Sequence, residues 1–223
     1  MNLLYLTIFG LLIFLSLLIG GKKFRVTALY ALAIGGAVNA NFFHAGNYPI
    51  DIFGLSFGID SIIYSLFIFY IIVTLFQYGK KDAYTLAASS IIAIMLSAIF
   101  ELISKLLSSG YNNDIWNNFI DFICSSITSI IVIIVIIEIL SLLSNETKLK
   151  NQYILLIIGM IIALIINTPI YYTFESLVHG KPDNIGELVS TSFLGKLLSI
   201  PLAILSLFLI NLYDKRHKKS RVN

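Results

Sequence analysis

FIDFICSSITSIIVIIVIIEILSLL, residues 119 to 143, decides what kind of protein this is. As an α-helix rising 1.5 Å per residue it crosses the roughly 30 Å of a bilayer's hydrocarbon. Its acidic residues, Asp121 and Glu138, lie towards its two ends, and between them runs a stretch of isoleucine and valine. Such a window is a membrane span. Working outward, six further apolar windows stand at 3 to 20, 26 to 43, 59 to 76, 83 to 104, 153 to 174 and 188 to 213.

The whole chain agrees with that reading. Of its 223 residues 58% are hydrophobic and 12% charged, and the mean hydropathy is +0.91, well outside the range of soluble domains. The expected fold is an all-α integral membrane protein of seven segments: a six-helix core over residues 26 to 216, preceded by an accessory helix and basic loop at 1 to 25 and followed by a basic tail at 217 to 223. The first segment lacks the positive n-region and small-x-small cleavage site of a secretory signal, so it is kept as a helix.

Charge sets the expected orientation. Lys22, Lys23 and Arg25, then Lys80 and Lys81, then Lys148 and Lys150, and finally Lys215, Arg216, Lys218, Lys219 and Arg221 alternate with loops bearing Asp51, Asp114 and Asp183, so twelve of the fifteen Lys and Arg fall on one side. The positive-inside rule makes that side cytoplasmic, with the N-terminus outside, the C-terminus inside and a multi-pass location in the cell membrane. The net charge of +3 and the scatter of basic residues give nucleic-acid binding no support. One cysteine, Cys124, excludes an internal disulfide, and no CxxC or His-x-His spacing marks a metal centre.

Polar residues that packing does not explain collect in the outer half of the expected bundle. Asn39 and Asn41 sit near the outer end of the second segment, where an amide facing lipid is costly. His44 opens a stretch, AGNYPIDIFGLSFGID, too broken by Gly and Pro to continue as helix; it reads either as a lid over the bundle mouth or as an interfacial turn anchored by Tyr48. Asp60 and Tyr64 share a side of the third segment, Asp60 serving as a helix cap or a ligand contact. Asp121 heads the fifth segment. Asn167, next to Thr168 and Pro169, precedes Tyr172 and Glu175 in the sixth, and Lys196 lies some way below the outer end of the seventh, where it needs a partner such as Glu175, Asp121 or Asp60. Together these outline an externally open pocket of aromatics, amides, a lysine and a carboxylate, suited to a small, flat, hydrogen-bonding molecule.

Elsewhere the motifs read as structural. Glu101 and Lys105 have the i to i+4 order of a helical ion pair, and Glu138 lies where a basic loop residue can pair with it. Ala33 and Ala37, with Gly36 and Ala40, form a flat strip at four-residue spacing, open to two uses: packing within the chain or docking a membrane partner.

The amides of the first core helix, YPIDIFGLSFG at 48 to 58, the YGKK turn at 78 to 81, Asn167, Lys196 and DKR at 214 to 216 also form a pattern. On these residues the stretch 26 to 216 resembles the VUT family of vitamin-uptake-type transporters, which includes queuosine-precursor transporters, and its layout is similar to the S-components of energy-coupling-factor transporters. FIFYIIVTLF at 67 to 76 and TPIYY at 168 to 172 lack the acidic residues of the family pattern. The resemblance implies uptake of a vitamin- or nucleobase-like molecule, a queuosine precursor among the options, with Ala33, Ala37 and Ala40 facing a membrane coupling subunit and partner ATPases supplying energy. No Walker motif is present in the chain itself.

Two other classes stand beside the transporter. A seven-helix sensor or structural subunit fits the topology but does not call for clustered external amides and a lysine within a span. An intramembrane enzyme would have to pair Cys124 with His44 or His179, and no HExxH, GxSxG or paired-Glu motif supports it. The sequence reading is therefore of a non-enzymatic protein without a cofactor, embedded in the bilayer and binding a small molecule.

Overall fold

The computed structural model describes residues 26–27, 29–35, 38, 49–52, 55–109, 113–146, 151–179 and 185–219. Among them are five long helices, α1 (Ile59–Tyr78), α2 (Lys80–Ser109), α3 (Asn113–Glu146), α4 (Gln152–His179) and α5 (Ile185–Lys219). A helical stretch at 29–35 and a small antiparallel hairpin, β1 (Pro49–Ile52) and β2 (Leu55–Gly58), precede them. Lys80–Ser108, Phe119–Asn145 and Gln152–Val178 are long and apolar enough to cross a bilayer, and Ile63–Tyr78 and Ser199–Leu212 are shorter apolar helices. The protein is a helical membrane protein.

α1 explains how the bundle is arranged. From Phe67 to Val73 every side chain is at most 1% exposed, which requires neighbours on all sides of the helix rather than along one stripe. α2, α3, α4 and α5 all pack against it. Because α2 to α5 also pack in sequence order, each on the next, they form a wall around a central α1.

Each outer helix shows a core face and a face turned outward. On α2, Ala83, Leu86, Ala87, Ser90, Ile94 and Ala98 are buried, while Ile92, Leu96, Ile99, Phe100, Ile103 and Leu107 are exposed. Exposed isoleucines at 123, 127, 131 and 134 form the same kind of ridge on α3. For a chain in lipid these ridges are the surface that meets acyl chains. α2 is the peripheral helix, since its span is 28% buried against 44% for those of α3 and α4.

The connections follow local chemistry. Gly79, at φ 98°, ends α1 in the left-handed conformation that glycine adopts without a Cβ penalty. Its N–H donates to the Leu75 carbonyl and its own carbonyl accepts from Ala83, so α2 starts at once. Asn151 caps α4, its Oδ1 accepting from the Tyr153 N–H at 3.0 Å. Polar core residues are silenced the same way: Thr74, Ser90 and Thr128 each donate to the carbonyl four residues back.

The hairpin is a finding that an all-helical expectation did not contain. Ile50 pairs with Phe57 and Ile52 with Leu55, alternating with Pro49–Gly58 and Asp51–Ser56, so only residues 53 and 54 join the strands. β2 runs directly into α1 and lies against α5. With short connections reversing direction at each step, the starts of α1, α3 and α5 share the hairpin end.

Candidate functional site

The centre of the site is Lys196. Its side chain is 8% exposed, and Nζ donates to Asn167 Oδ1 at 2.6 Å and to Thr168 Oγ1 at 3.2 Å. Nζ also stands 5.6 Å from the centre of the Tyr64 ring, within cation–π range. Asn167 and Thr168 lie well inside the apolar span Gln152–Val178, eleven and ten residues from its end, so the contact places the ammonium beside the interior of that span. An ammonium there is expensive to desolvate, and the amide and hydroxyl oxygens and the aromatic face lower that cost.

Three helices supply these groups. Asn167 and Thr168 are both buried on α4, in the two positions before Pro169, which continues the helix without an N–H and so deprives the Ile165 carbonyl of its usual partner. Thr173 donates to the Pro169 carbonyl at 2.7 Å. On α5, Ser199 is buried and donates to the Lys196 carbonyl at 2.5 Å, fixing the turn that carries the lysine. On α1, the Tyr64 hydroxyl approaches Ser129 and Asn167 but is sealed from solvent without a well-formed hydrogen bond. Beside it lies a void of about 10 Å³, bordered by Tyr64, Ser65, Met160 and Lys196. One water molecule fills such a space.

Of the residues expected from sequence, the structure brings together Asn167, Lys196 and Tyr64. Tyr172 is half-buried further along α4, edge-to-face with Tyr171 at 5.4 Å between ring centres. Asp121 is half-buried near the start of α3. The backbones of Asp60 and Glu175, in the first turn of α1 and the last turns of α4, are at the hairpin end, but their side chains lie outside the described residues. Asn39, Asn41 and His44 lie outside them altogether, as do Ala37 and Ala40.

One expectation is corrected. Ala33 is fully buried within this chain, so at that position the small-residue strip serves internal packing, the close approach that a methyl side chain permits, and is not presented to a partner. At the expected outer end the lysine, amide and aromatic ring are packed on one another beside the small void, while Asn39, Asn41 and His44 of the expected pocket lie outside the described residues. Sequence reading also missed Thr168 as a partner of Lys196 and Ser199 as its brace. Their signal was weak, since hydroxyls in membrane helices usually bond to their own backbone.

The structural pairs form as their spacing implies. Lys105 and Glu101 meet at 2.6 Å. Glu138 accepts from Lys80 at 2.7 Å and from the Tyr84 hydroxyl at 2.5 Å, tying α3 to the start of α2. No group of three or more His, Cys, Asp or Glu suited to a metal ion occurs among the described residues. The chain matches no family model, no curated protein and no solved structure.

Proposed function

We propose that this chain is a multi-pass membrane transporter, or the substrate-binding membrane subunit of one, that takes up a small vitamin- or nucleobase-like molecule. The observation that carries the reading is the contact of Lys196 with Asn167 and Thr168 within the membrane-spanning part of the bundle. A lysine at that depth is costly, and packing alone would be served better by leucine. Amide, hydroxyl, ammonium and aromatic ring are the groups that recognise a flat heterocycle bearing carbonyls and N–H groups.

In this reading the packed cluster is the closed form, and substrate replaces the internal bonds one for one. Asn167 and Lys196 would hydrogen-bond the ring edge while Tyr64 stacks on its face. The hairpin β1–β2, seated on α5 and continuous with α1, would act as the lid at the outer mouth, and Pro169 supplies the break in α4 that lets the end of that helix move. Ligand binding shifts a population towards the open and refilled states. The same proposal includes seven spans, an external N-terminus, a cytoplasmic C-terminus and, in line with the VUT-like pattern, energising partners.

Native mass spectrometry of gently purified protein tests it. A copurifying base, nucleoside or vitamin that is lost from Lys196→Ala is the expected result. Wild-type protein that is empty and gains no thermal stability from a panel of such molecules would overturn the reading in favour of a sensor or structural subunit.

A further inference from the structure

At the opposite end of the bundle an open groove of about 360 Å³ lies between the end of α1, the start of α2, the end of α3 and the start of α4. Its volume is in the range of small-ligand sites. Leu75, Phe76, Leu140 and Leu155 make its apolar floor. The polar wall is formed by Lys80, Ser141, Ser144, Asn145 and Gln152.

Much of that wall is free of internal hydrogen bonds, with Ser144 and Asn145 exposed at the groove. The Lys80 ammonium has three N–H donors and gives one to Glu138. The Ser141 hydroxyl is sealed from solvent and without a partner. Ser144, Asn145 and Gln152 make no side-chain hydrogen bond among the described residues, and none of the described residues that line the groove is a carboxylate. The Lys196 ammonium has acceptors in Asn167 and Thr168, whereas this wall offers donors to whatever enters the groove. The groove lies at one end of the apolar spans, since Lys80–Ser108 and Gln152–Val178 begin here and Phe119–Asn145 ends here. An apolar floor at acyl depth beneath donors at headgroup depth suits an amphiphile with an acceptor-rich head.

We propose that this groove is a binding site for a phosphate-bearing amphiphile, its phosphate oxygens taken by Lys80, Ser144 and Asn145 and its chain or ring lying on Leu75, Phe76, Leu140 and Leu155. Phosphate is the head that fits, since it offers several acceptors, carries the charge that the two remaining Lys80 donors favour, and resides at this depth in any bilayer. Glu138 and Tyr84 hold Lys80 at the rim and are positioning residues. The site is independent of the Lys196 cluster and does not rest on the transporter reading.

The test is a titration of the delipidated full chain, followed by native mass spectrometry, with phosphatidylglycerol, with glycerol 3-phosphate and with a diacylglycerol of the same chains. Asn145→Leu and Ser144→Leu fill the groove without touching the Lys80–Glu138 pair, and Lys80→Met removes the charge; monodispersity and helical circular dichroism verify that each variant is folded. Tighter binding of phosphatidylglycerol than of diacylglycerol, weakened about tenfold or more in the variants, as loss of a charge-assisted hydrogen bond would give, supports a lipid occupant. Variant-sensitive binding of glycerol 3-phosphate as strong as that of the lipid overturns the amphiphile in favour of a soluble phosphorylated solute. Equal binding of diacylglycerol, or binding that no variant weakens, overturns the proposal.

Discussion

Asn167 and Lys196 are separated by 29 positions in the chain and by 2.6 Å in space. The contact joins α4 to α5 at a depth where each residue alone would be a liability. Lys196→Ala leaves the Asn167 and Thr168 oxygens buried without their donor, and is expected to cost roughly 1–3 kcal/mol. Asn167→Ala leaves the ammonium short of its nearest acceptor and is expected to cost as much or more. The double variant should cost less than the sum of the two, measured by thermal unfolding in detergent, because one contact is removed twice.

Tyr70 makes the opposite forecast. It is 1% exposed in the middle of α1, and its hydroxyl is buried with no partner. Tyr70→Phe removes the stranded oxygen and keeps the ring against Phe69. Stability should be unchanged or raised by about 1 kcal/mol, and a clear loss in the same unfolding assay would show that a polar contact had been overlooked.

At Gly159 α4 comes close to both α1 and α3. A Cβ built there would stand 2.8 Å from both Ile72 Cδ1 of α1 and Leu140 Cδ1 of α3. Both are ends of flexible side chains, so Gly159→Ala should be tolerated, helped by alanine's higher helix propensity. Gly159→Leu overfills the same gap and is expected to destabilise by about 1–3 kcal/mol.

The Lys80–Glu138 pair is about half exposed on both partners, so its contribution should be small and sensitive to salt. A double-mutant cycle with Lys80→Gln and Glu138→Gln is expected to give a coupling that shrinks as ionic strength rises. A coupling indifferent to salt would mean that the pair is more deeply enclosed than its geometry indicates.

Leu96 lies near the middle of the α2 span on its outward ridge, and Leu107 near the end, exposed by 49% and 83%. Leu96→Arg should lower the yield of membrane-integrated protein, following an insertion penalty of roughly 2.5–3.5 kcal/mol. Leu107→Arg should leave it nearly unchanged, since the guanidinium reaches the interface. A fluorescent C-terminal fusion reports both.

The helices were legible in the sequence because each needs a long apolar window, and the windows at 59 to 76 and 153 to 174 fall inside α1 and α4. Their arrangement was not. Lipid and protein core are both apolar, so FIFYIIV reads the same whether it faces acyl chains or, as in α1, other helices on every side. The hairpin was hidden for a different reason: four-residue strands among Pro and Gly look like any loop until their pairing is seen. Asn167 and Lys196 stood out because polar groups at depth are costly, whereas Ser144, Asn145 and Gln152 looked like ordinary helix ends.

The enclosure of α1 also sets an order of events during synthesis. α1 leaves the ribosome before all four helices that will surround it, and its apolar run from Leu66 to Val73 lets it wait in the bilayer without them. The wall then closes from α2 onward, and the last panel is α5, the helix that carries a lysine. By then Asn167 and Thr168 are already in place to receive it. A chain stopped before residue 185 would insert, yet it would leave α1 open along one side and two polar groups without their donor.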